Sequence, residues 1–276
     1  MGVYGVIGFP ISHSMSPVMH NGEFRALKLA HHYAAFEVHP DQLESAIKGM
    51  RALNIKGINV TIPHKVAVIR YLDEIDEEAK LIGAVNTIVN ENGKLIGFNT
   101  DGQGYLLSLK SIINTSLALK KTLIVGAGGA ARAIATALAK DGVQKLDIAN
   151  RTVSKAQELI EHVNQLTDGR ALTIDEAEEQ LSAYDIVINT TSVGMAPHID
   201  ETPLRVHHLK QGAIASDLIY NPLMTRFLKE AKAKGAIIDN GIGMFVHQGA
   251  LAFKKWTGVE PNIERMKKTV LSKLGG

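Results

Sequence analysis

At 276 residues the chain exceeds the size at which one hydrophobic core stops growing, so two domains are expected. Hydrophobic residues at 45% and charged residues at 21% exclude a disordered chain, and a net charge of +2 without a basic stripe, with 5% aromatics, excludes nucleic acid as the main partner. The absence of cysteine excludes disulfides, thiolate metal sites and cysteine nucleophiles, whereas a small anionic substrate, needing only one or two local cations, stays open.

The amino terminus, MGVYGVIGFPISHSMSP, is apolar but has no basic leader and is broken at Pro10. It reads as neither signal peptide nor membrane span, no other apolar run approaches the roughly 20 residues a span needs, and the expected location is cytoplasmic. Residues 3–7, 33–38 and 58–62 read as strands, with helical patterns at 17–29 and 41–53 between them. Ser16-Pro17 has the form of a helix start, a hydroxyl cap followed by proline. Residues 85–89 and 94–98, joined by Asn90-Glu91-Asn92-Gly93, read as a hairpin. A helix over 103–113 carries the chain into a second series of strands at 122–125, 146–149, 172–174, 185–189, 213–218 and 236–238. Helices at 244–256 and 263–274 end the chain. Such alternation predicts an α/β fold with parallel sheets covered by helices on both faces.

Residues 122–132, TLIVGAGGAAR, run an apolar strand into glycines and then into an alanine-rich helix. Gly126 permits a tight turn, and Gly128 lets the backbone approach a pyrophosphate that the helix N-terminus favours. Ala131 replaces the third glycine of the dinucleotide fingerprint with another small residue. The next strand ends at Asn150 and Arg151, with Lys155 one helical turn on. NAD enzymes place an acid there, roughly 20 positions past the fingerprint, for the ribose hydroxyls. A guanidinium instead suits a 2′-phosphate, so NADP is expected over NAD. Asp147 lies inside the strand, out of reach of the ribose.

Four polar clusters mark the first series. Ser14 and Ser16, after the first strand, can hold a carboxylate. Asn59-Val-Thr61-Ile-Pro-His64-Lys65 contains in Lys65 a candidate acid or base. Gly83-Ala-Val-Asn86-Thr87 and Gly97-Phe-Asn99-Thr100-Asp101-Gly102 complete the set. Asp101 can cap the helix after it, pair with Lys65, or do both. His13, His20, His64 and His247 show no metal-ligand spacing of the HExxH kind, so no metal is expected.

With these blocks in order, the chain resembles the shikimate dehydrogenase family over its whole length. The matching segments are SHSMSPVMHN (12–21), NVTIPHK (59–65), GAVNT (83–87), GFNTDG (97–102), GAGGAAR (126–132), NRTVSK (150–155), NTTSVGM (189–195), DLIYNP (217–222) and GIGMFVHQGA (241–250). The resemblance implies an NADP-dependent oxidoreductase of aromatic amino-acid biosynthesis that reduces 3-dehydroshikimate to shikimate. It implies Lys65 as proton donor and Asp101 as its partner. Ser14, Ser16, Thr61, Asn86, Asp101, Tyr220 and Gln248 would bind substrate. Gly126, Ala127, Gly128, Gly129 and Ala130 would hold the pyrophosphate, and Asn150, Arg151, Thr152 and Lys155 the adenosine phosphate. Leu218, Gly241 and Met244 would border the nicotinamide. It further implies two domains: an open-sheet α/β substrate domain of residues 1–102 plus 242–276, and a Rossmann-type, doubly wound NADP domain of residues 103–241. Phe98 stands where many relatives carry tyrosine, which leaves the expected activity intact. A catabolic quinate/shikimate dehydrogenase and a catalytically silent NADP-binding regulator stand as alternatives, and the oligomeric state, monomer or homodimer, is open.

Overall fold

The computed structural model describes residues 2–113 and 115–275. The chain divides into two compact units, Met1–Gly104 with Val246–Gly276 and Tyr105–Phe245. Among the described residues no helix is long and apolar enough to cross a membrane.

The first unit is built on a six-stranded sheet of β1 (Gly2–Gly8), β2 (His31–Glu37), β3 (Gly57–Val60), β4 (Glu74–Ile75), β5 (Thr87–Glu91) and β6 (Lys94–Phe98), in the order β2-β1-β3-β5-β6-β4. Strands β1, β2 and β3 are parallel, whereas β5 runs against both β3 and β6. The expected hairpin is present: it turns through Asn92 (φ 55°) and Gly93 (φ 98°) and makes this sheet mixed, parallel in β1–β3 and antiparallel at β5. Alternation along the strands divides the core. Ile7, Ile58 and Val60 face Ile47 and Met50 of α2 (Leu43–Ala52) and Ala79 of α3 (Glu77–Ile82). Tyr4, Val6 and Tyr33 face Phe24 of α1 (Ser16–Ala26) and Phe253 of α9 (Ile242–Thr257). Helix α10 (Ile263–Leu274) is tied to α1 by Arg265, whose guanidinium donates twice to the buried Glu23 carboxylate at 2.6 and 2.7 Å.

The second unit carries an all-parallel sheet of β7 (Lys121–Val125), β8 (Lys145–Ala149), β9 (Ala171–Leu172), β10 (Ile186–Asn189), β11 (Ile214–Asp217) and β12 (Ile237–Asp239). Its order, β12-β11-β10-β7-β8-β9, is that of the doubly wound dinucleotide-binding fold, with the switch point between β7 and β10. Ile124, Ile148, Ile186 and Ile188 pack on α5 (Gly129–Lys140) and α6 (Val153–Val163). Leu123, Val125, Val187 and Ala215 pack on the opposite face with α7 (Ile174–Glu179) and α8 (Arg226–Ala233). Helix α4 (Asp101–Lys110) begins in the first unit and ends in the second, and α9 begins in the second and ends in the first.

Candidate active site

In the first unit the parallel strands β1 and β3 end beside the start of the antiparallel β5 and the end of β6. Polar residues far apart in sequence thereby share one edge of the sheet. Lys65 follows β3, and its own carbonyl accepts the Val85 N–H at 2.8 Å. Its ammonium donates to Asp101 Oδ2 at 2.7 Å, with side chains 16% and 6% exposed. A pair this buried persists only where further hydrogen bonds satisfy the carboxylate. Asn86 Nδ2 supplies one, donating to Asp101 Oδ1 at 2.8 Å. Asp101 is the first residue of α4, and its carboxylate is spent on Lys65 and Asn86 rather than on capping the helix.

Ser14 and Ser16 stand at the start of α1. The expected Ser16 cap is corrected: Met15 occupies the cap position, Ser16 is already helical, and its N–H donates to Ser14 Oγ at 3.3 Å. Nearby Tyr33, whose hydroxyl donates to Asn59 Oδ1 at 2.7 Å, is fully buried, and burial pushes its phenol well above the usual pKa. Thr61 lies at the end of β3, its N–H bonded to Ile7 O at 2.9 Å. Gln248, on α9, is brought close to α4 because Gly104 has no side chain: a Cβ there would lie 2.6 Å from the Gln248 nitrogen. Ser14, Ser16, Thr61, Lys65, Asn86, Asp101 and Gln248 thus all belong to the first unit, while Tyr220 belongs to the second, its ring tilted against Phe245 with centroids 4.5 Å apart.

In the second unit the dinucleotide loop follows β7 at the switch point. Gly126 has φ +113°, and a Cβ on it would meet Thr190 Oγ1 at 2.5 Å, so the turn demands glycine. Gly128 occupies the cap position of α5, where a side chain would meet nothing within 4 Å, and no side chain caps the helix. Ala131 is fully buried, as helix-to-strand packing requires of the third small residue. An uncapped helix start with no acid in its first turn fits a diphosphate. Around β8, Asn150 Nδ2 donates to Thr152 O at 2.8 Å and so shapes the turn into α6. Arg151, Thr152 and Lys155 are exposed there, and among the described residues neither cation has an ion pair. Asp147 is committed elsewhere, accepting from Tyr184 OH at 2.7 Å and from Arg170 N at 2.9 Å. This donor set, cations without a competing carboxylate, fits a nucleotide bearing an extra phosphate.

Leu218, Gly241 and Met244 come together after β11 and β12. Gly241 N–H donates to Ile219 O at 3.1 Å, and Leu218 and Met244 belong to one apolar cluster. Asp217, just before, was not singled out in sequence; it accepts from Asn189 Nδ2, Ile219 N and Thr225 Oγ1 at 3.0, 3.0 and 2.7 Å. Burial outweighs those bonds and pushes its pKa up to about 6. Two of the four histidines weighed as ligands are committed inside the first unit. His64 bonds Val38 O at 2.7 Å through Nε2, and His20 is stacked on Tyr33 at 4.4 Å. Among the described residues no cluster of three His, Cys, Asp or Glu side chains is placed to hold a metal.

A doubly wound dinucleotide unit joined to an α/β unit bearing a buried Lys–Asp pair defines a two-domain nicotinamide-dependent dehydrogenase. Comparison with known proteins narrows the class. Residues 6–88 match the model of the shikimate dehydrogenase substrate binding domain, residues 108–208 that of shikimate / quinate 5-dehydrogenase, and residues 241–271 that of the shikimate 5'-dehydrogenase C-terminal domain. The chain is 54% identical over 274 residues, 99% of both chains, to a shikimate dehydrogenase (NADP(+)) of Geobacillus sp. (strain WCH70). Its fold is similar to that of a shikimate dehydrogenase solved in complex with NADP+, with TM-score 0.93, 47% identity, and 99% and 96% of the two chains covered. The Thermus thermophilus enzyme, solved with NADP(H) and shikimate, gives TM-score 0.89 at 37% identity, with 99% of each chain covered. The chain belongs to the shikimate dehydrogenase family.

Proposed function

We propose that this chain interconverts 3-dehydroshikimate and shikimate with NADP as its redox partner, the first unit binding the acid and the second the dinucleotide. The observation that carries this reading is the buried Lys65 Nζ–Asp101 Oδ2 contact of 2.7 Å in a chain of this family. When bound, NADPH supplies the hydride. A ketone accepting a hydride accumulates negative charge on its oxygen, and the Lys65 ammonium, facing that oxygen, stabilises the charge and delivers the proton. Asp101 holds the ammonium in place and accepts a hydroxyl of the ring. Ser14 and Ser16 bind the carboxylate. Thr61, Asn86, Tyr220 and Gln248 take the remaining polar groups and so orient the ring. In the second unit, residues 126–130 grip the diphosphate, Asn150, Arg151, Thr152 and Lys155 the adenosine phosphate, and Leu218, Gly241 and Met244 border the nicotinamide.

The test is to follow reduced-nicotinamide absorbance with NADPH and 3-dehydroshikimate, with NADH in a parallel cuvette. The reverse reaction is run on shikimate and on quinate. Fast turnover with NADPH and 3-dehydroshikimate is expected. A preference for quinate with NAD would replace this reading by the catabolic one, and no turnover of either acid with either cofactor would leave only a binding role.

A further inference from the structure

The Lys65–Asp101 pair is not held by its own two residues alone. A line of buried donors leads to it from β2 across the end of β3 and the start of β5. Tyr33 OH donates to Asn59 Oδ1 at 2.7 Å. Asn59 Nδ2 donates to Thr87 Oγ1 at 3.2 Å, and Thr87 Oγ1 donates to Asn86 Oδ1 at 2.9 Å. Asn86 Nδ2 then donates to Asp101 Oδ1 at 2.8 Å. Every bond points the same way, toward the carboxylate. Asn59 and Thr87 face each other directly in the β3–β5 ladder, so the line is built into the strand register.

We propose that Thr87, backed by Asn59, is a positioning residue for the Lys65–Asp101 pair, an inference that rests on the functional reading above. The physical reason is the ambiguity of an amide. Asn86 could turn its oxygen or its nitrogen toward Asp101, and only the nitrogen is tolerable beside a carboxylate. Its orientation is set by the groups that meet its oxygen, the Thr100 N–H at 2.8 Å, the Thr87 hydroxyl at 2.9 Å and, more distantly, the Thr100 hydroxyl at 3.2 Å. Thr87 is fully buried, so no water replaces its hydroxyl once lost. Asn59 backs that hydroxyl: its Nδ2 fills one lone pair of Oγ1, and the proton goes to Asn86 Oδ1 at 2.9 Å, nearer than Thr100 Oγ1 at 3.4 Å. Buried networks of this kind act as a unit when every member is satisfied. Thr87 touches no substrate in this scheme; it acts through Asn86 on the acid.

The test pairs two variants. Thr87→Val keeps the shape and removes the hydroxyl, and Thr87→Ser keeps the hydroxyl. At saturating shikimate and NADP, Thr87→Val is expected to lose about tenfold in kcat, the size of one well-placed hydrogen bond. The KM for NADP should stay within twofold, and Thr87→Ser should recover most of kcat. A purely structural role would lower Tm in both variants and leave the kcat of the folded enzyme unchanged, which would overturn the proposal. So would a failure of Thr87→Ser to rescue. If Thr87→Val does not fold, Tyr33→Phe removes the first donor of the line under an intact ring stack, and a kcat equal to wild type there overturns the proposal. A crystal structure of Thr87→Val gives a readout independent of turnover. A turned Asn86 amide or a broken Lys65–Asp101 contact supports the role, and an unchanged pair overturns it. Should the wild type itself not turn over shikimate, the functional reading fails, and that structure still decides the positioning claim.

Discussion

Lys65 and Arg151 carry the same charge but differ in what surrounds them, and their loss is expected to read out differently. Replacing Lys65 by Met keeps the chain length and removes the ammonium. Asp101 keeps its bond from Asn86 at 2.8 Å, so groups that bind the ring remain in place. Turnover should fall by about 10²–10⁴-fold, the usual worth of general acid catalysis, with substrate affinity little changed. Near-normal kcat would remove Lys65 from the role of acid. The carboxylate left behind is 6% exposed, so Lys65→Met should also lower Tm, as stranded buried charges do. Arg151 is exposed and without an ion pair among the described residues, and its removal should leave Tm unchanged. Arg151→Ala should raise the KM for NADPH by roughly 10–100-fold, the worth of charge-assisted bonds to a phosphate, and leave that for shikimate alone. Equal effects on both would place Arg151 outside the phosphate site.

Elements show which parts of this molecule a sequence can carry. The β7–α5 junction is legible because its chemistry is local: an apolar strand, a glycine at φ +113°, and a small-residue helix follow one another without a gap. Gly126→Ala tests that locality. The added methyl would sit 2.5 Å from Thr190 Oγ1 in a backbone region L residues avoid, so the variant should lose about 1–3 kcal/mol of stability and bind NADPH more weakly. An alanine variant with wild-type Tm and KM would show that the turn tolerates a side chain. The hairpin was legible for the same local reason, through Asn92-Gly93. The two-residue strand β4 was not, since Glu74 and Ile75 find their place only by pairing with β6. Nor was the pairing of β5 with β3, because strand patterns do not record which strands become neighbours. Ser16 does not cap because the helix starts one position earlier than the hydroxyl–proline pair suggests: Met15 takes the cap position and Pro17 the second helical one. Within the site, Lys65, Asp101 and Asn86 could be named from their blocks. Asn59 and Thr87 stand inside those blocks too, yet their mutual bond spans 28 positions and depends on the β3–β5 register, which spacing does not reveal.

Across the whole molecule, two buried titratable groups, one in each unit, pull stability in opposite directions over nearly the same pH range. His20 is fully buried between Tyr33, Phe253 and Trp256, and among the described residues neither ring nitrogen has a hydrogen-bond partner. Burial lowers its pKa to about 3, so the folded ring is neutral while the unfolded one takes up a proton near its usual value of 6.5. The unfolded state then binds more protons, and the first unit loses stability as pH falls from 6.5 toward 3. Asp217 is the reverse case: with its pKa raised to about 6 from 3.8, the folded state binds more protons, and the second unit gains stability as pH falls from 6 toward 4. Each contribution is a few kcal/mol at most. Trp256 is the only tryptophan and lies in the first unit, so its fluorescence follows that unit, while amide exchange in β10 and β11 follows the second. From pH 7 to pH 4, His20→Phe should lose less of its Trp256-detected stability than wild type. Asp217→Asn should show no gain of protection in β10 and β11 over the same interval, once intrinsic exchange rates are corrected. If both variants track the wild type at every pH, the acid response of this protein is set by its surface carboxylates and not by these two buried groups.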